Sequence, residues 1–145
     1  MAHPDLNTLL NTLLPFAELM LSENGEFYPF GAKMSLDGEV VNVGAKIEGE
    51  EHPPSQSLIE LMTQNFQQQT NEGRLLAAGI CYDVRTTLPD ENRPSDAVCC
   101  SLEHLSGDAV DVYVPYERDL DGKVQYGQIF ATLRTPKFFS FAEHE

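Results

Sequence analysis

Three short turns constrain what this chain can fold into: Asp37-Gly38, Ser106-Gly107 and Asp121-Gly122. Each turn separates two runs of strand-forming residues, and this pattern predicts a tight β-hairpin. Glycine adopts a positive φ at little cost, and the primed two-residue turns of hairpins require that backbone. We therefore expect three hairpins of antiparallel strands along the chain.

Two segments have the residue spacing of amphipathic helices. Residues 5–22 carry a broad leucine stripe that Asp5 can cap, and Pro15 inside it predicts a kink or the start of a second helix. The second helix is predicted to begin with a capping box of Ser57 and Glu60. The Asn24-Gly25 pair predicts a left-handed stop after the first helix, since glycine commonly follows the last helical turn.

The other regular segments alternate in hydrophobicity and predict strands. Residues 26–36 and 39–48 flank the first turn, and four further strands follow residue 74. The element order α-β-β-α-β-β-β-β predicts a single α+β domain over residues 1–145, built as two layers. In this arrangement an antiparallel sheet of about five to six strands is covered by two helices. The tail with Phe138, Phe139 and Phe141 is apolar enough to dock on that body.

The charge balance is the compositional outlier, because 9 Lys and Arg stand against 23 Asp and Glu, a net charge of −14. The basic residues are dispersed, which disfavours nucleic acid and an anionic membrane surface as partners. Such a charge can serve solubility alone, or it can present an acidic face to a basic partner protein. Composition leaves both interpretations open and favours the first.

The cysteine count is odd: Cys81, Cys99 and Cys100. Neighbours along a strand point to opposite faces, so Cys99 and Cys100 would not bond to each other without distortion. This usage is typical of free thiols in a reducing compartment. The chain also has no apolar run of about 20 residues and no basic residue before its first leucines, so we expect a cytoplasmic protein.

The best match to a metal-binding motif lies at the third turn. Glu117, Asp119 and Asp121 alternate as the oxygen ligands of an EF-hand loop do. The twelfth position is Gln128, however, which cannot supply a bidentate carboxylate, and the flanking residues favour strands. We therefore favour an acidic hairpin tip and predict no metal here.

The sequence contains no recognisable catalytic or cofactor motif. The histidines (His3, His52, His104 and His144) lack the spacing of a zinc site, although a site assembled in space stays open. A nucleophilic cysteine would need a histidine, but His104 lies on the face opposite Cys99 and about 13 Å along the strand from Cys100. We predict no catalytic residue and no cofactor, and we interpret the cysteines as buried apolar residues.

Polar side chains on the predicted strands could form a surface. If the strands register, one face carries Asp83, Arg85, Ser101, Glu103, Asp111 and Tyr113. That face is either a recognition surface or a solvated sheet face, and the second is commoner in antiparallel sheets. Aromatic residues at strand ends could also rim a ligand or partner site. The candidate binding residues are Tyr28, Tyr82, Asp83, Arg85 and Tyr116.

Four segments (residues 27–32, 82–85, 96–98 and 114–116) resemble a group of small, acidic, uncharacterised bacterial proteins. The resemblance spans most of residues 16–131 and implies a bacterial cytoplasmic protein, but it transfers no catalytic residue. The element order is also similar to that of roadblock/profilin-like domains up to the last strand, where those folds usually have a helix. That similarity implies a fold and no function.

Two functions follow as expectations. The first is a non-enzymatic protein-interaction module of the bacterial cytoplasm, similar in role to an immunity protein, a secretion chaperone or a regulatory subunit. Its partner would be a protein, plausibly a basic one, and a homodimer through an exposed edge strand is also open. The alternative is a small-molecule sensor or enzyme with a pocket between sheet and helices.

Overall fold

The computed structural model describes residues 3–44, 49 and 51–139. Its elements are α1 (Pro4–Asn24), β1 (Phe30–Ser35), β2 (Val40–Val43), α2 (Ser55–Asn71), β3 (Leu75–Thr87), β4 (Pro94–His104), β5 (Ala109–Arg118), β6 (Val124–Tyr126) and β7 (Phe130–Leu133). This confirms the α+β class and the order α-β-β-α-β-β-β-β, with the last predicted strand divided into β6 and β7. Residues 45–48 of the predicted second strand and Phe141 lie outside the described residues.

The strands form one antiparallel sheet in the order β2-β1-β3-β4-β5-β6, with β7 also paired to β5. Along β5, Tyr116 pairs with Tyr126 and Tyr113 pairs with Phe130, so three residues face two and make a bulge between β6 and β7. Pro115 causes this break, because it has no N–H to donate to the ladder. Its carbonyl accepts instead from the amide of Gly127 at 2.8 Å.

The two helices lie on opposite faces of the sheet, so the domain has three layers where two were predicted. On β3, Ala77 and Cys81 belong to the core under α1, whereas Ala78 and Ile80 belong to the core under α2. Successive side chains of a strand point to opposite faces, so both faces of β3 are buried. The prediction of two layers missed this because apolar residues occupy both faces of β3.

The three predicted hairpins are present, but their loops have three residues rather than two. In each, the glycine N–H donates to the carbonyl three residues before it, as Gly38 does to Ser35 at 2.9 Å. Only the glycine has a positive φ, between 83° and 107°, whereas a type I′ turn needs two such residues. The loops are therefore type I turns followed by a left-handed glycine, and glycine remains the required residue.

The first helix is continuous from Pro4 to Asn24 and ends, as predicted, at Gly25, whose φ is 78°. Its cap is His3 and not Asp5, because His3 Nδ1 accepts from the amide of Asp5. Pro15 does not divide the helix. The buried stripe continues on both sides of Pro15, so packing on the sheet holds the two halves together: Leu6, Leu9, Leu13, Ala17 and Leu21.

The second helix begins three residues earlier than predicted, since its N-cap was predicted at Ser57. Its first residue is Ser55 and its N-cap is Pro54, with no side-chain hydrogen bond at the cap. Ser57 and Glu60 lie inside the helix, so the predicted capping box is wrong. No helix in the described part of the chain has the length and apolar character needed to cross a membrane.

Candidate functional site

A row of aromatic side chains lies on the same face of the sheet as α2, next to the part that the helix covers. Helix α2 packs on β1 and β3 and leaves the β4, β5 and β7 part of that face to other segments. Across the strands, Tyr82 pairs with Cys99, Cys99 with Tyr113 and Tyr113 with Phe130. We call Tyr82, Tyr113 and Phe130 the aromatic row; all three are partly exposed. The rings of Tyr113 and Phe130 stack with centroids 4.9 Å apart.

A chain of polar contacts borders the aromatic row on one side. The Ser101 hydroxyl lies 3.2 Å from the Tyr82 hydroxyl and donates to Asp111 Oδ1 at 2.7 Å. Arg134 Nε donates to the same Asp111 oxygen at 2.8 Å. Burial alone would lower the pKa of Arg134, but the charges and hydrogen bonds of Glu103 and Asp111 outweigh burial and raise it. Arg134 therefore stays charged between two carboxylates.

Glu103 anchors the segment that follows β7 onto this face. Its side chain is fully buried, and Arg134 Nη1 donates to Oε2 at 2.6 Å. The same carboxylate accepts from the amides of Lys137 at 2.7 Å and Phe138 at 2.8 Å. Phe138 then packs edge-on against Phe66 of α2, with centroids 5.3 Å apart. The docking predicted for Phe138 and Phe139 is confirmed, because both are buried.

On its other side the aromatic row leads into a cleft of about 150 Å³. The cleft lies between the β3–β4 loop and the β6–β7 bulge, with Leu88, Pro115 and Ile129 among its apolar walls. Its charged lining consists of Asp90, Glu91, Arg93 and Glu117. Arg93 Nε donates to Glu91 at 2.5 Å, and Nη2 lies 3.4 Å from Glu117. Three carboxylates against one guanidinium leave this lining acidic.

The structure divides the candidate residues that the sequence predicts between two faces and two ends of the sheet. Tyr82, Ser101, Glu103, Asp111 and Tyr113 share the α2 side through their strand register. The remaining two members of the predicted polar face point to the α1 side, so that prediction is corrected: Asp83 and Arg85. The physical reason is the register of β3 with β4, which pairs Asp83 with Val98 and therefore places Asp83 on the face opposite Ser101.

On the α1 side, Tyr116 and Asp83 form one contact. The Tyr116 hydroxyl donates to Asp83 Oδ1 at 2.8 Å. Burial raises the pKa of Asp83 although this hydrogen bond lowers it, and burial followed by the Asp83 bond raises the pKa of Tyr116. Beside them Arg85 pairs with Asp96 at 3.0 Å. Tyr116 is itself buried in the α1 core, so this contact is part of the packing.

Tyr28 lies apart from the other candidates. Its hydroxyl hydrogen-bonds to His52 Nδ1 at 2.8 Å, in the segment that precedes α2. The five candidate residues therefore do not make a single site. Sequence reasoning missed Phe130, Arg134 and the cleft. The available signal was a proline, Pro115, inside one predicted strand and a glycine, Gly127, inside the next, since both residue types favour a bulge.

The cysteines have the character of buried thiols. All three are free and buried, and Cys99 Sγ lies 3.4 Å from the Tyr82 hydroxyl. Burial raises the pKa of Cys99 to about 12, so it is protonated near neutral pH. A protonated thiol is a poor nucleophile and a poor metal ligand. This chemistry does not favour covalent catalysis at Cys99.

One cluster of potential metal ligands comes together in space: His3, Asp5 and His104. His104 Nδ1 accepts from the Ser106 amide at 2.9 Å, so the ring proton is on Nε2, which lies 2.9 Å from Asp5 Oδ2. Metal-bound histidines usually donate their second N–H, and here the second nitrogen accepts. The His3 and His104 rings also stack at 3.6 Å, so their in-plane lone pairs do not converge. The cluster ties α1 to the β4–β5 turn.

The acidic hairpin tip uses its carboxylate for the turn. Asp119 Oδ1 accepts from the amides of Asp121 and Lys123, each at 2.9 Å, and Oδ2 accepts from Gln125 at 3.1 Å. These bonds, that of Lys123 foremost, lower the pKa of Asp119. The arrangement agrees with a structural interpretation of the tip.

Comparison of the chain with protein-family models, with curated proteins and with solved structures finds no match.

Proposed function

We propose that this chain is a non-enzymatic protein-interaction module of the bacterial cytoplasm, and that it binds a basic segment of a partner protein at the cleft and the aromatic row. The observation that carries the proposal is an apolar cleft with an acidic lining, next to partly exposed stacked rings. The partner segment would place one apolar side chain in the cleft and basic side chains on its lining.

The size of the cleft supports a side chain as the occupant. A cavity of about 150 Å³ accommodates a molecule of the size of benzene, whereas small-molecule sites usually measure about 300–1,000 Å³. Interfaces are commonly organised around such pockets, each filled by one aromatic or aliphatic anchor. Leu88, Pro115 and Ile129 give the walls an apolar character that suits a Phe or Leu anchor.

Charge supports a basic partner. The net charge of −14 steers cationic segments toward the molecule at low salt. At the cleft, Arg93 is already engaged by Glu91 and Glu117, so it does not offset the third acidic group, Asp90. A Lys or Arg flanking the anchor would therefore find carboxylates within reach. Charged pairs of this kind chiefly raise the association rate and the selectivity.

A peptide titration tests this proposal. The probe is a synthetic peptide with one central Phe flanked by lysines. Two control peptides have Ala in place of the Phe or Glu in place of each Lys. Binding is followed by NMR shifts of the protein amides. We expect shifts at residues 88–93 and 127–130, with affinity lost for both altered peptides.

Matched variants of the protein sharpen the titration. The double variant E91Q/E117Q should lower the affinity for the Phe–Lys peptide by about 5-fold to 10-fold, since two charges of the cleft lining are lost. The control E23Q/E60Q removes two exposed acidic groups of α1 and α2 and should bind as the wild type does. Equal weakening by the two double variants, or shifts on the other face of the sheet, would contradict the proposal.

The second candidate function is the binding of a small molecule in the same cleft. Its support is the apolar wall of the cleft beside three carboxylates, a combination that suits a compact amine. A thermal-shift screen with small amines and other metabolites distinguishes the two, because a ligand of the native state raises the melting temperature. A shift abolished by E91Q/E117Q, together with no peptide binding, would favour this alternative.

A further inference from the structure

Two of the three cysteines face each other across neighbouring strands. In the β3–β4 ladder Cys81 pairs directly with Cys100, while Cys99 pairs with Tyr82. Directly opposite residues point to the same face, so Cys81 and Cys100 both project into the core under α1. Cys99 projects to the other side of the sheet, which makes it an internal control for its neighbour.

The hydrogen-bond pattern of this ladder defines the type of pair. The amide of Leu105 donates to Leu76 at 2.8 Å at one end, and that of Leu88 donates to Arg93 at 2.9 Å at the other. Hydrogen-bonded and non-hydrogen-bonded pairs alternate along an antiparallel ladder. The ladder has continuous register between these bonds, so residues 81 and 100 form a non-hydrogen-bonded pair.

That geometry suits a covalent bond between the two thiols. Opposite residues in a non-hydrogen-bonded pair have Cα atoms about 4.5 Å apart, at the short end of the range of about 4.4–6.8 Å for disulfides. The two thiols also interact: burial first, and the hydrogen bond that the Cys81 thiol donates to Cys100 second, raise the pKa of Cys81. Both side chains are fully buried, which keeps them unreactive while α1 is in place.

We propose that Cys81 and Cys100 are a redox pair that forms a cross-strand disulfide when α1 opens and a hydroperoxide reaches them. One thiol, as thiolate, attacks the peroxide oxygen and becomes a sulfenic acid, with release of water or an alcohol. The second thiolate displaces hydroxide from that sulfur and forms the S–S bond. With hydrogen peroxide, two thiols and one peroxide give one disulfide and two waters.

The disulfide would make the β3–β4 hairpin, which carries Tyr82 of the aromatic row, more rigid. It would close the loop between Cys81 and Cys100 and restrict the unfolded chain, so the oxidised protein should melt at a higher temperature. Tyr82 and Cys99, on the other face of the same hairpin, would be held in a more rigid register. This inference does not depend on the partner proposed above.

Peptide mapping after oxidation of the folded protein tests the proposal. The protein is treated with hydrogen peroxide well below its melting temperature, where the sheet stays folded and α1 opens only transiently, and is then blocked with an alkylating reagent and digested with trypsin. Cleavage after Arg74, Arg85 and Arg118 separates Cys81, in residues 75–85, from the other two cysteines, in residues 86–118. We expect a cross-linked pair of these peptides and a mass 2 Da below that of the reduced protein.

Cysteine variants identify the bonded residue. The control C99S should still form the cross-link, whereas C100S should not. C81S should lose the cross-link as well, and circular dichroism reports whether each variant folds. If a buried serine prevents folding, wild type and C99S alone still decide the matter. A cross-link absent from C99S, or sulfinic acid at Cys81 with no cross-link, would overturn the proposal.

Discussion

Arg134 donates from Nη1 to the buried carboxylate of Glu103 at 2.6 Å, and this pair determines the course of the chain after β7. The carboxylate also accepts from the amides of Lys137, Phe138 and Phe139. A single side chain therefore accepts from three backbone amides and from one guanidinium nitrogen. Its removal should affect residues 134–139, the described part of the segment that follows β7.

Replacement of Glu103 by Gln should destabilise the protein by about 2–4 kcal/mol, because the buried Arg134 loses a charged partner and the new amide opposes the backbone donors. Urea denaturation followed by circular dichroism gives the free energy of unfolding. The control is E60Q on the exposed side of α2, which should stay within about 0.5 kcal/mol of wild type. A loss for E103Q no larger than that of E60Q would contradict the anchoring role.

Gly31 is a position of close backbone approach between β1 and β3. A Cβ at Gly31 would lie 2.7 Å from the carbonyl oxygen of Gly79 and 3.3 Å from the ring of Phe66. The carbonyl cannot move without shifting β3, so Gly31→Ala should cost about 1–3 kcal/mol. Gly44→Ala is the matched control, since a Cβ there meets no atom within 4 Å among the described residues. In thermal unfolding, Gly31→Ala should therefore have a lower melting temperature than Gly44→Ala.

Asp83 should make the protein less stable as its carboxyl ionises. Burial raises the pKa of Asp83 above its ordinary value, although the Tyr116 hydrogen bond opposes this. A raised folded pKa means that the stabilising contribution is complete below about pH 4 and is lost as the pH rises through the folded value. Asp83→Asn keeps an acceptor for Tyr116 and should be more stable than wild type at pH 7. Below about pH 4 the two should converge.

Asp37 should show the opposite sign. The Ser35 hydroxyl, followed by the Glu39 amide, lowers the pKa of Asp37. A lowered folded pKa contributes stability above the ordinary value of about 4, and this is lost as the pH falls through the folded value. Asp37→Asn should therefore be less stable than wild type at pH 7 and converge with it in acid. Denaturation curves from pH 2 to pH 8 measure both variants, and a shared sign would contradict the assignments.

The third hairpin should depend on the carboxylate of Asp119. Asp119→Ala removes the acceptor of the Asp121 and Lys123 amides, so these amides should exchange with solvent faster. Asp121→Ala is the control, because the Asp121 side chain has no hydrogen bond in the described structure and only its backbone serves the turn. Hydrogen exchange followed by NMR reports the individual amides. Equal exchange in the two variants would show that the carboxylate does not organise the tip.

Much of the fold follows from local patterns. The spacing of leucines over residues 5–22 and the alternation beyond residue 74 are properties of adjacent residues, so they predict α1 and the long strands. The three glycines predict the hairpins for the same reason, although the loop length differs. The end of α1 at Gly25 was predictable, whereas its cap at His3 was not, because histidine is an uncommon capping residue.

The candidate site could be predicted only in fragments. The sequence predicts Tyr82 as a candidate binding residue and Tyr113 on a polar strand face, but the stacking of Tyr113 on Phe130 depends on the pairing of β5 with β7. The cleft depends on a bulge that brings residues 127–130 against the β3–β4 loop. The sequence predicts Glu103 on a polar face, whereas its side chain is fully buried. This burial could not be predicted from local patterns, because the partner Arg134 lies 31 residues further along the chain.

By itself the sequence determined the order of the elements, the positions of the turns and the net charge of −14, since these depend on neighbouring residues or on composition. Only the tertiary structure decided which face each helix covers, that Cys81 and not Cys99 meets Cys100, and that Glu103 holds the terminal segment. The physical reason is that register and layer order arise from contacts between distant segments. Local periodicity carries no information about those contacts.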